Sequence, residues 1–89
     1  MSTPAVVMYT TSWCPYCERA RKLLAAKNVT FSEIDIESAA ERRAEMRNRS
    51  GRTSVPQIFI GDHHVGGSDD LAALEAAGKL DALLSGTAR

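Results

Sequence analysis

The chain has 89 residues, 44% of them hydrophobic, and its 11 Lys and Arg equal its 11 Asp and Glu. That length makes one small domain spanning residues 1–89, and the even charge balance gives no electrostatic reason to expect nucleic acid or a membrane surface as a partner. The segment Met1-Ser2-Thr3-Pro4-Ala5 lacks a basic stretch and the apolar run after it is too short for a signal or a span, so a cytoplasmic protein is expected.

Val6 to Thr10 is a short apolar run rich in β-branched residues, which predicts a buried strand. Pro15 suits a first helical position, where its missing N–H costs nothing. From there Cys17, Ala20, Leu23, Leu24 and Lys27 recur at helical spacing, and Asn28 is a plausible stop. Thr30 to Ile36 alternates apolar and polar residues, as a strand with one wet face does. Ser38-Ala39-Ala40-Glu41 has capping-box spacing and opens a second helix, which Gly51 ends. Met46 is the only sizeable apolar residue of that helix, so its core-facing stripe is thin. Pro56 precedes a third strand, Gln57 to Ile60, and Gly61-Asp62 turns the chain into a fourth, His63 to Val65. Ser68 has the character of an N-cap, with Asp69 and Asp70 in the first turn of a third helix that ends at Gly78. A short last helix carries Leu80, Leu83 and Leu84. The order β-α-β-α-β-β-α plus a terminal helix predicts an α/β fold: a parallel first crossover, a hairpin of the last two strands, and helices on both faces of a four-stranded mixed sheet.

Both cysteines lie in Cys14-Pro15-Tyr16-Cys17, between the first strand and the first helix. A Cys-x-x-Cys there reads as a redox motif, because a helix N-terminus carries unpaired N–H groups and partial positive charge that favour a thiolate. A structural disulfide closing so short a loop would constrain little. A zinc site needs four ligands, and the adjacent His63 and His64 point to opposite faces of a strand, so no metal is expected. Two inert buried cysteines remain the other reading. In the segment Gly66 to Asp70, two glycines allow close approach to the backbone and the helix start offers N–H donors to a carboxylate. A plain hairpin exit with an acidic cap fits the same residues.

Three segments in order carry a resemblance to the dithiol glutaredoxins, which have the thioredoxin-like fold: Cys14-Pro15-Tyr16-Cys17, Thr53-Ser54-Val55-Pro56 and Gly66-Gly67-Ser68-Asp69-Asp70. The similarity runs from about Val6 to Leu84. It implies a cis Pro56 facing the cysteines and a Val55 backbone that pairs with glutathione, with Ser54 beside it. It further implies that the N–H groups of Ser68 and Asp69, next to Gly67, take the γ-glutamyl carboxylate. An Asp69 or Asp70 carboxylate would take the amino group, and Tyr16 would flank the tripeptide. Arg43 matches a position used for the glycyl carboxylate, with Arg52 a second candidate. Many relatives carry a lysine where this chain has Thr11, so the sequence departs from the pattern there. Trp13 is either a contact for protein substrates or a lid on the first helix. His63 and His64 are expected to be an edge-strand pair without a role.

The resemblance implies a glutathione-dependent thiol–disulfide oxidoreductase, acting as a monomer in electron transport and cell redox homeostasis. Cys14 would be the nucleophile, with a pKa depressed into the roughly 3.5–7.5 range of activated cysteines, and Cys17 the resolving thiol. Expected partners are glutathione, protein disulfides and glutathionylated proteins, with glutathione reductase acting indirectly through glutathione disulfide. A potential of about −200 to −230 mV would suit that role. Two alternatives are reduction by thioredoxin reductase and an iron–sulfur cluster held by Cys14 and glutathione. The Gly66 to Asp70 segment speaks against the first, and the stiff Pro15 against the second.

Overall fold

In the computed structural model, which describes residues 4–86, the apolar run becomes β1 (Val6–Thr10), and Pro15 opens α1 (Pro15–Ala26). Asn28, with φ of 59°, turns the chain out of that helix. The remaining elements are β2 (Ser32–Asp35), α2 (Ala40–Ser50), β3 (Gln57–Ile60), β4 (His63–Gly66), α3 (Ser68–Ala76) and α4 (Leu80–Ser85). The strands form one sheet in the order β2-β1-β3-β4. β1 pairs parallel with β2 and antiparallel with β3, and β3 and β4 form the expected hairpin.

Alternation along the strands divides the core into two layers. On one face Val6, Met8, Ile58 and Ile60 pack with Ala20 and Leu24 of α1, Leu71 of α3, and Leu80 and Leu83 of α4. The Lys27 ammonium closes that layer at its edge, 2.8 Å from Glu75 and 3.0 Å from Asp81. On the other face Tyr9, Ile36 and Phe59 pack with Met46, the one buried residue of α2. Polar contacts support this thin layer. The Tyr9 hydroxyl donates to Glu45 and accepts from an Arg49 N–H at 2.9 Å. Burial pushes the Tyr9 phenol up, and the same hydrogen bond pulls the Glu45 carboxyl down.

Two local expectations change. β2 is shorter than the alternating stretch, because Ile36 leaves the strand to bury its side chain while its N–H still reaches the Thr10 carbonyl at 2.9 Å. Ser38 does not cap α2: its hydroxyl donates to Asp35 at 3.1 Å, and the N-cap is Ala39, without a side-chain bond. The competing acceptor, one strand end away, takes the serine that the spacing assigns to the helix.

Because α2 enters the core through a single side chain, Met46→Ala is expected to cost about 2–5 kcal/mol in urea unfolding. A loss below about 1 kcal/mol would show that the polar contacts of Tyr9 hold α2 without that anchor.

Candidate functional site

The loop between β1 and α1 brings Cys14 to the N-cap of α1 with extended backbone, φ −155° and ψ 100°. Its Sγ accepts the N–H of Cys17 at 3.1 Å, the bond that a serine or aspartate oxygen makes at an ordinary N-cap. Pro15 occupies the next position, where no N–H is needed. Cys14 and Cys17 form a disulfide, with Cα atoms 5.1 Å apart. Cys17 is fully buried, whereas Cys14 is only half-buried. Of the two, Cys14 is the more accessible to solvent.

Beside the first turn of α1 lies a cleft of about 240 Å³. Tyr16 forms one wall, and Ser54, Val55 and Pro56 another. The Val55–Pro56 peptide is cis, as the resemblance implies. Gly67, Ser68, Asp69 and Asp70 close the far end, and Arg52 adds a guanidinium. A bulge delivers this far end. Ile58 pairs with Gly66 but Phe59 with His64, so Val65 is an extra residue that re-aims the chain into α3. At Gly66, with φ of 113°, a side chain would collide with the Asp70 carboxylate. Asp70 is held there by the Gly67 N–H at 2.9 Å and by Arg52 at 3.2 Å.

A family profile described as Glutaredoxin matches residues 6–65. The chain belongs to the glutaredoxin family. It is 62% identical to Glutaredoxin of Pseudomonas aeruginosa over 82 residues, covering 92% of this chain and 98% of the relative. It is 57% identical to Glutaredoxin 3 of Escherichia coli over 79 residues, covering 89% and 95%. Among solved structures it resembles a buckwheat glutaredoxin–glutathione complex, with a TM-score of 0.85, 27% identity, and coverage of 96% of this chain and 79% of the other. Glutaredoxins are thiol–disulfide oxidoreductases, and this chain carries their cysteine pair on their thioredoxin-like fold.

Within this glutaredoxin, the cleft gathers Tyr16, Ser54, Val55, Pro56, Gly67, Ser68, Asp69 and Asp70 but not Arg43. Arg43 is exposed on α2 and outside the lining, while Arg52, just past the helix, lies in it. The Gly51 turn explains the difference. Arg43 is three residues before Met46, but its side chain stays outside, whereas the left-handed Gly51 turns the chain back toward the sheet at Arg52. The N-cap of α3 is Gly67 and not Ser68, which is buried at the first helical position. The capping acceptor is Asp70, reaching back to the Gly67 N–H. Trp13 is 83% exposed, which removes the lid reading. Sequence reasoning missed Gln57 and His64: their side chains meet at 2.7 Å, and Gln57 lines the cleft. The signal was a polar residue directly after Pro56, at a strand position with no wet face.

The Gly67 N–H, and after it Arg52, holds the Asp70 carboxyl below its ordinary value of 3.8. A depressed carboxyl stabilises the fold above its unfolded pKa and loses that stabilisation as pH falls through its folded one. Asp70→Asn should therefore destabilise the protein in urea at pH 6, with a deficit that shrinks toward pH 2. A deficit equal at both pH values would mean that the charge of Asp70 contributes nothing.

Proposed function

We propose that this glutaredoxin reduces glutathione mixed disulfides through Cys14 and protein disulfides through Cys14 and Cys17, with glutathione as the electron donor. The observation that carries the reading is the N-cap position of Cys14, whose sulfur already accepts the Cys17 N–H. In the reduced protein that N–H and the helix dipole favour the thiolate, the attacking form.

On a glutathionylated protein, the Cys14 thiolate attacks the glutathione sulfur. A Cys14–glutathione disulfide forms, the protein–glutathione bond breaks, and the substrate leaves as a thiolate that takes a proton from water. A second glutathione thiolate then attacks the bound glutathione sulfur, which releases glutathione disulfide and restores the Cys14 thiolate. On a protein disulfide, Cys14 forms the mixed disulfide and Cys17 displaces the substrate. This leaves the Cys14–Cys17 bond seen here, and two glutathiones return its two electrons.

The cleft suits an extended tripeptide. Val55 offers backbone beside a proline that has no N–H to donate, and the α3 N-terminus offers the N–H groups of Ser68 and Asp69 to the γ-glutamyl carboxylate. Asp70 is engaged with Gly67 and Arg52, so we assign the glutathione amino group to the Asp69 carboxylate. Arg52 is the cation at hand for the glycyl carboxylate. The similar buckwheat glutaredoxin is a glutathione complex, which supports glutathione as the ligand. A cytoplasmic setting, where thiols are kept reduced, and a monomeric state fit the chemistry.

A reductase-coupled assay with a glutathione mixed disulfide should find Cys14→Ser at background. Cys17→Ser should remain active on that substrate but lose most reduction of protein disulfides. Loss of deglutathionylation in Cys17→Ser would reverse the two roles. Asp69→Ala should raise KM for the glutathione mixed disulfide several-fold at unchanged kcat, since a single exposed charge contact contributes about 0.2–1 kcal/mol. Unchanged KM would remove Asp69 from the amino-group site.

A further inference from the structure

Gln57 is 1% exposed, directly follows the cis proline, and turns its amide toward the α2 side of the sheet, the side of Tyr9 with which it pairs. The direction of that amide follows from its partners. The Ser54 carbonyl can only accept, so the Gln57 Nε2, 2.9 Å away, donates to it, with a second contact of 3.3 Å to the Ser54 hydroxyl. The amide oxygen is left facing His64, 2.7 Å from its Nε2. An amide oxygen has no proton to give, so Nε2 of His64 carries the hydrogen.

The imidazole is itself fixed. It stacks on Phe59 with ring centroids 4.8 Å apart, and the Arg49 guanidinium lies 4.1 Å from the centroid of that same Phe59 ring. Burial lowers the His64 pKa, and Arg52 presses in the same direction, as His63 and Arg49 do more weakly; Asp70 opposes them. The lowered pKa favours the neutral ring, with a single N–H, and the Gln57 oxygen decides which nitrogen holds it. Residues 53–56 lie between α2 and β3, outside the sheet ladder. The Gln57 amide ties the carbonyl just before Val55 to the hairpin.

We propose that Gln57 and His64 are a positioning pair: His64 orients the Gln57 amide, and Gln57 holds the Ser54 carbonyl so that the Val55 backbone meets glutathione in a fixed geometry. Gln57 borders the cleft, and its amide is taken up by Ser54 and His64. The pair acts on affinity through the loop. The inference rests on the reading that Val55 pairs with glutathione.

The test is steady-state kinetics at pH 7 on wild type, Gln57→Met, His64→Phe and the double variant, with a glutathione mixed disulfide of a small thiol. Each single variant should raise KM about three- to ten-fold, the worth of one intramolecular hydrogen bond, with kcat within about two-fold. The double variant should be no worse than the poorer single one, because both break the same chain. Unchanged KM, a matching fall in kcat, or additive losses would overturn the proposal. Nitrogen NMR of the His64 ring in the wild type provides a readout that needs no variant. A hydrogen on Nε2 at pH 7 supports the pair, and a hydrogen on Nδ1 overturns it. Failure of wild type to turn over the mixed disulfide would instead remove the glutathione reading, and the NMR result would still decide the orientation of the pair.

Discussion

One hydrogen bond organises the chemistry of this protein: the Cys17 N–H to Cys14 Sγ, at 3.1 Å. A helix must satisfy its first N–H groups, and here the acceptor at the N-cap is a sulfur in place of an oxygen. The same constraint separates the two cysteines. The N-cap residue lies outside the helical turn and stays half-buried, while the residue three positions on faces the core and is fully buried. The difference in exposure between the two cysteines thus follows from one turn of helix. Pro15 between them needs no donor partner and sets the helical φ at its own position.

The sheet supplies the rest by placing three chain segments around that turn. β1 runs into Cys14, the cis Val55–Pro56 peptide leads into the neighbouring β3, and the bulge at Val65 steers β4 into the N-terminus of α3. Each segment contributes backbone groups as well as side chains. Backbone is well suited to an extended tripeptide, because strand-like pairing and helix N–H groups recognise main chain and carboxylates whatever the flanking residues. The charged groups refine this frame. Asp70 and Arg52 hold each other at the rim, which leaves Asp69 exposed for a ligand.

Much of this was legible in the sequence. The periodicity of Val6 to Thr10, the proline at the head of α1 and the Gly61-Asp62 turn placed β1, α1 and the β3–β4 hairpin, because each signal is local. The Cys14–Cys17 pair at the head of α1 was legible for the same reason. Arg43 was not: it shares a short helix with several other arginines, and only the Gly51 turn selects Arg52 for the cleft. Ser38 and Ser68 have the spacing of caps, but acceptors from Asp35 and Asp70, fixed by the tertiary fold, take over. The pairing of Gln57 with His64 was beyond reach because they meet across the hairpin, and the bulge that sets their register leaves no mark in the alternation.

The central claim is that the N-cap position alone makes Cys14 the reactive thiol. Its most direct test is the rate of iodoacetamide alkylation of each cysteine in the reduced protein as a function of pH, read by peptide mass spectrometry. The account predicts that Cys14 alkylation is already near its plateau at about pH 7, where an ordinary thiol with a pKa of about 8.5 is only a few per cent ionised, and that Cys17 lags at every pH. A Cys14 profile that rises only through the ordinary thiol range, or faster labelling of Cys17, would contradict it.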